Sequence, residues 1–219
     1  MRLFVAVAPP PAVREHLELA LTSVRGARGS DDARRSLRWA PAADRHVTLA
    51  FYGEVSAGHA EELTGGLARI AAECPPFEVR LRGAGVFDRR TFWIGCGGEV
   101  DALAALTSRC VDLGREVTGR EDRRVRSRSH LTVARVPGQA RSRTPGRNRG
   151  RGGPDELDDL AALAHALAIY EGPTWEVGEI VLVSSRPGEG KGGGPAYDPL
   201  LTYPLAGTVL PAAGRAVAG

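Results

Sequence analysis

Two stretches of this chain, RHVTLAFYGEV at residues 45–55 and SHLTVARV at residues 129–136, carry the same histidine-x-threonine pattern inside a run that reads as a β-strand. Side chains two apart on a strand share a face. His46 and Thr48 therefore form a polar front, with Val47, Leu49 and Phe51 expected behind, and His130 and Thr132 form another, backed by Leu131 and Val133. The copies lie 84 residues apart, each at the corresponding place in its half of the chain. A fold that keeps both must turn two greasy-backed strands so that their fronts look into one space.

The rest of the sequence supplies the matching elements. MRLFVAV reads as a first strand, and PPAVREHLELALTSVRG as a helix with Val13, Leu17, Leu19 and Leu21 at helical spacing, ending near Gly26. GHAEELTGGLARIAAEC reads as a second helix stopped by Pro75 and Pro76, FEVRLRGAGVF and TFWIGCGG as a hairpin turning at DRR, and DALAALTSRCVDLGREV as a third helix. DELDDLAALAHALAIYEG is expected as a helix closed by Gly172, WEVGEIVLVSS as one strand, RPGEGKGGGPAY as a glycine-rich loop and LLTYPL as a closing strand. This order predicts an α+β fold of two pseudo-symmetric lobes, each an antiparallel sheet with helices, facing a central cleft. The 219 residues are read as a single bilobal catalytic domain over 1–210, with a mobile Arg/Gly/Pro-rich loop at 137–156 and a frayed tail at 211–219.

Composition narrows the setting. With 42% hydrophobic and 25% charged residues the chain belongs with soluble globular proteins, and its net charge of +3 and pI near 9.0 favour an anionic partner slightly. Cys74, Cys96 and Cys110 are odd in number and lack C-x-x-C spacing, so reduced thiols in a cytoplasmic protein are expected rather than a disulfide frame or zinc ribbon. The apolar start is too short for a signal or a membrane span, so no membrane association is expected. GEGKGGG lacks P-loop spacing, His59 and His165 have no ligand at i+4, and Ser184–Ser185 has no nucleophile elbow.

Two facing histidines suit in-line displacement at phosphorus: one imidazole takes a proton from the attacking oxygen while the other gives one to the leaving oxygen. The threonine hydroxyls can donate to non-bridging phosphate oxygens. Neither a metal nor a cofactor is needed. Two readings of other classes stand beside this one: a non-catalytic RNA-binding module that depends on the arginines, and a metal hydrolase using the histidines as ligands. The motifs hold no carboxylate cluster to complete such a metal site.

HVTLAFYGEV and HLTVAR, together with MRLFVAVAPP, LRWAPAADRHVTLAFYGEV, FWIG and the late VLVSSRPGEGKGGGPAYDPLLTYPL, resemble the 2H phosphoesterase superfamily, most closely its RNA 2',3'-cyclic phosphodiesterase branch, historically called 2'-5' RNA ligase. The resemblance covers almost the whole chain. It implies a cleft that opens a 2',3'-cyclic phosphate at an RNA 3' end, transfer RNA halves included, to leave a 2'-phosphate, with the reverse ligation or another cyclic nucleotide as alternatives. It implies His46 as proton donor, His130 as proton acceptor, and Thr48, Thr132 and Arg135 against the phosphate, in a monomer without cofactor. Strict alternation would turn Arg135 away from the cleft, so a bulge or strand end is required. Tyr52 is a candidate either for base stacking or for packing. Arg126 and Arg128, with Arg120, Arg123 and Arg124, are candidates to meet an RNA backbone, and Arg141, Arg143, Arg147, Arg149 and Arg151 to steer it.

Overall fold

The structure, a computed structural model, describes residues 1–26, 37–120, 128–136, 154–190 and 193–208. The Arg-rich stretch 137–153, Arg123, Arg124, Arg126 and the tail from 209 lie outside them. Nine strands and four helices are described: β1 (Arg2–Val7), α1 (Pro11–Gly26), β2 (Arg38–Trp39), β3 (Val47–Glu54), α2 (Ala57–Glu73), β4 (Phe77–Phe87), β5 (Thr91–Gly98), α3 (Val100–Thr118), β6 (His130–Arg135), α4 (Pro154–Ala166), β7 (Glu171–Val177), β8 (Glu179–Arg186) and β9 (Ala196–Pro204). The strands order as β7-β4-β5-β6-β3-β1-β8-β9, all pairs antiparallel, with β2 beside β6. Two four-stranded halves, β3-β1-β8-β9 and β6-β5-β4-β7, meet at the single pair Val47–Leu131. The fold is the expected α+β arrangement of two matched lobes about a cleft.

The helices cross between halves. α1 leaves β1 and packs on β7 of the other half, while α3 leaves β5 and packs on β3. Leu3, Val5 and Val7 of β1 and Leu103, Leu106, Cys110 and Leu113 of α3 join one core that runs through both halves. In α1 the buried positions are Val13, Leu17 and Leu21. Leu19, grouped with them by spacing, is 73% exposed, because it sits half a turn away from Leu17.

Two expected elements are corrected. Helix α4 ends at Ala166, well before Gly172, because the chain there joins β4: Gly83 N–H donates to Tyr170 O at 2.8 Å and Glu171 pairs with Arg82. WEVGEIVLVSS is two strands, not one. The chain breaks at Gly178, leaving β7 on the outer edge of one half and starting β8 beside β1 in the other. Local composition cannot register this switch, since both pieces are equally good strands.

The element before the first motif is pinned by charge. Glu18 on α1 pairs with Arg25 at 2.8 Å and with Arg45 at 2.6 Å. Arg45 is 3% exposed, and its Nε donates to Ala40 O at 3.2 Å across the short 3-10 turn Ala42–Asp44. Burial pushes the Glu18 carboxyl up, but hydrogen bonding and the charges of Arg45 and Arg25 outweigh it and hold it below the usual carboxylate range. One carboxylate thus ties α1 to the turn that leads into His46.

Replacing Glu18 by Gln leaves the buried Arg45 guanidinium without its counter-ion. Breaking a buried pair typically costs about 3–5 kcal/mol, and the partial exposure of Glu18 lowers this to about 2 kcal/mol, read by denaturant unfolding. A second substitution tests the fit of α3 on β3. A Cβ at Gly114 would stand 2.7 Å from the Tyr52 ring, so Gly114→Ala is expected to destabilise by about 1–3 kcal/mol through overpacking, with an unchanged or lower value contradicting that contact.

Candidate active site

An open cleft of about 600 Å³ lies where the two halves meet. His46, Thr48, His130, Thr132 and Arg135 all line it, and so does Arg128. Antiparallel register explains the grouping: with Val47 opposite Leu131, the residues on either side are His46 beside Thr132 and Thr48 beside His130. Val47 and Leu131, at most 1% exposed, anchor the join in the core behind.

Each motif strand carries the same irregularity. Along β1 and β3, Val5 pairs with Ala50 and Ala6 with Thr48, so Leu49 is an extra residue; along β5 and β6, Phe92 pairs with Ala134 and Trp93 with Thr132, so Val133 is an extra residue. These bulges shift the alternation by one. Leu49 and Val133 stay in the core, while the residues two further along, Phe51 and Arg135, return to the cleft. The bulge that Arg135 requires is present at Val133.

The bulge at Leu49 overturns one expectation and decides another. Phe51, assigned by alternation to the strand's back, faces the cleft and packs with Phe4, Ala6, Val183 and Tyr197 in a small apolar cluster. Tyr52, a candidate for base stacking, is 4% exposed in the core, and its hydroxyl donates to Cys110 O at 3.3 Å. Burial pushes its phenol well above the ordinary range. Tyr52 packs and does not reach the cleft.

Both imidazoles are oriented alike. Nδ1 of His46 lies 2.7 Å from Asp44 O, and Nδ1 of His130 lies 3.0 Å from Arg128 O. A carbonyl only accepts, so Nδ1 carries the proton in each ring and Nε2 is the nitrogen left for the cleft. The rings have different walls. Phe4 stacks on His46 with centroids 4.7 Å apart, and Tyr197 meets its edge at 5.1 Å. Phe87 and Trp93 meet His130 edge-on at 4.8 and 6.1 Å. Trp93 in turn lies flat over Gly85, where a Cβ would come within 2.3 Å of the indole, and stacks on Phe87 at 4.8 Å.

The tighter walls have an electrostatic effect. Burial, opposed by the Asp44 carbonyl and reinforced by the charges of Arg135 and His130, pushes the His46 imidazole down to about 4. At neutral pH His46 is therefore uncharged, with Nε2 unprotonated.

Sequence reasoning missed several cleft residues. Phe4 had a readable signal, since Arg2, Phe4 and Ala6 alternate with the core residues Leu3, Val5 and Val7. Tyr197 and Ser185 had none; they reach the cleft because β8 and β9 pair with Ser185 opposite Tyr197. Among the described residues no group of three His, Cys, Asp or Glu side chains comes together, and no helix is long and apolar enough to cross a membrane.

Comparison with known proteins agrees with this architecture. The chain is 32% identical over 192 residues to an RNA 2',3'-cyclic phosphodiesterase of Geobacillus stearothermophilus, matching 82% of this chain and 52% of the relative, so it spans about half of that protein's length. It is 28% identical over 190 residues to an RNA 2',3'-cyclic phosphodiesterase of Methanothermobacter thermautotrophicus, matching 85% of this chain and 90% of the relative. Among solved structures, TT0787 of Thermus thermophilus superposes with a TM-score of 0.66 at 26% identity, over 94% of this chain and 99% of that one. Escherichia coli LigT in apo form, at 24% identity and a TM-score of 0.62 over 93% and 96% of the two chains, shares the fold. The 2'-5' RNA ligase superfamily model matches residues 9–146, more than half of the sequence, and the chain belongs to that superfamily.

Proposed function

We propose that the cleft hydrolyses a 2',3'-cyclic phosphate at an RNA 3' end, leaving a 2'-phosphate and a free 3'-hydroxyl, by proton transfer between two histidines. The observation that carries this reading is the matched pair of imidazoles, each with Nδ1 against a backbone carbonyl, lining one cleft together with Thr48 and Thr132. Relatives named as RNA 2',3'-cyclic phosphodiesterases support the choice of substrate.

The cyclic phosphate sits between the two strands, its non-bridging oxygens accepting from the hydroxyls of Thr48 and Thr132 and from the Arg135 guanidinium. His130 Nε2 takes a proton from water as the water oxygen attacks phosphorus. His46 Nε2–H gives its proton to the departing 3' oxygen. The assignment of donor and acceptor follows the family resemblance. It requires His46 to be charged in the complex although burial favours the neutral ring in the protein alone. The bound phosphate anion favours the imidazolium directly, acting against the burial that chiefly lowers this ring and against the smaller effect of Arg135. Substrate binding therefore takes up a proton at neutral pH. Arg128, at the cleft wall, is a further RNA contact in this reading.

The test is incubation with a short RNA ending in 2',3'-cyclic phosphate, in the presence of chelator, with identification of the product. Turnover to a 2'-phosphate end is expected, with kcat falling on the order of 100-fold to 10,000-fold in His46→Ala and in His130→Ala. Turnover that survives in either variant, or that disappears with chelator, contradicts the two-histidine reading. The pH profiles give an independent check. The limb of kcat/KM that reports the donor in free enzyme should lie at lower pH than the same limb of kcat, which reports the complex. Coincident limbs would mean that the phosphate does not charge His46.

A further inference from the structure

Beyond the His/Thr quartet the cleft continues between β1, β2 and the start of β9, where it is lined by two arginines that the chemistry above does not use. Arg2 holds its guanidinium 4.9 Å over the Phe51 ring. Arg38 stands opposite Arg135 across the β2–β6 pair, and its Nη1 donates to Gly193 O at 3.1 Å. Among the described residues neither has a carboxylate within ion-pair distance. Other described arginines do have acidic partners, among them Arg45 with Glu18, Arg80 with Glu171 and Arg109 with Glu73; what sets Arg2 and Arg38 apart is that both line the cleft. Arg2, Arg38 and Arg135 all bear electrostatically on the Tyr197 hydroxyl, and among the described residues Asp44 opposes them there.

Arg2 and Arg38, both lining the cleft and neither within ion-pair distance of a described carboxylate, create a local positive field that an anion relieves. Both extra arginines are held in place, one over an aromatic face and one by a carbonyl, so little side-chain freedom is lost when they meet a ligand. We propose that Arg2 and Arg38 form a second anion subsite, which takes the phosphate on the 5' side of the terminal nucleotide and so makes the cleft a reader of RNA chain ends rather than of free cyclic mononucleosides. This rests on the reading that the His/Thr quartet holds the terminal cyclic phosphate. Contacts of this kind carry no base information, so the subsite adds affinity without sequence preference. It also adds salt dependence, with log(kcat/KM) against log salt steeper by about 0.7 for the one phosphate neutralised.

Steady-state kinetics on three substrates test the subsite: adenosine 2',3'-cyclic phosphate with a 5'-hydroxyl, the same compound with a 5'-phosphate, and the dinucleotide ApA ending in 2',3'-cyclic phosphate. The wild-type protein should prefer the second and third over the first by about tenfold or more in kcat/KM. Arg2→Gln and Arg38→Gln should each erase most of that ratio, and with it the extra salt dependence. A preference for the dinucleotide that the 5'-phosphate does not reproduce overturns the subsite, since the second nucleoside rather than the anion would be recognised. A ratio unchanged in both variants overturns it as well. Equal turnover of all three substrates overturns the subsite alone, whereas no turnover of any of them overturns the reading on which it rests.

Discussion

The cleft depends on one pair of residues, Val47 and Leu131, at which the two half-sheets join. Their side chains are sealed in the core, so the join cannot slip by one residue without turning both apolar side chains outward and both polar fronts inward. Antiparallel geometry then fixes the quartet on the other face, each histidine beside the opposite strand's threonine. The crossing helices α1 and α3 reinforce this, since each begins after a strand of one half and packs on the other.

Symmetry in the scaffold gives way to asymmetry in the walls. Equivalent bulges at Leu49 and Val133 return Phe51 to the cleft on one strand and Arg135 on the other, so the same backbone device delivers an apolar floor on one side and a charge on the other. His46 is boxed by Phe4 and Tyr197 and kept neutral by burial and by the charge of Arg135. Burial is the larger of the two effects, and an anion beside the ring opposes both by favouring the charged imidazole. In the proposed reaction this would couple substrate binding to proton uptake.

Much of the fold was legible in the sequence. The two H-x-T strands, the hairpin at DRR and the helix α3 follow from period-two and helical patterns that belong to single elements. What was not legible belongs to pairs of elements. A bulge exists only relative to a partner strand, so Phe51 was expected at the back of its strand and Tyr52 was left as a candidate for the cleft. The switch of the chain at Gly178 from one half to the other is not marked in the sequence, because Trp175–Val177 and Ile180–Val183 both read as strand and only one residue with a weak strand preference, Gly178, and one charge, Glu179, separate them. Tyr197 closes a glycine-rich loop and gains its place beside His46 only from the β8–β9 register. Arg135 stands between these cases: the resemblance named it, and the bulge at Val133 shows how it reaches the cleft.

The most direct measurement is an NMR titration of the His46 and His130 ring nitrogens, in the free protein and with inorganic phosphate. In the free protein both neutral rings should carry the proton on Nδ1, and His46 should stay neutral until the pH falls to about 4. Below the ordinary histidine value of about 6.5 an unfolded chain would already be protonated at this ring, so stability should fall as the pH is lowered from there towards 4. With phosphate bound, the His46 titration should move to higher pH. Rings protonated on Nε2, or a His46 titration that phosphate leaves in place, would contradict a cleft in which two matched imidazoles exchange protons through the anion between them.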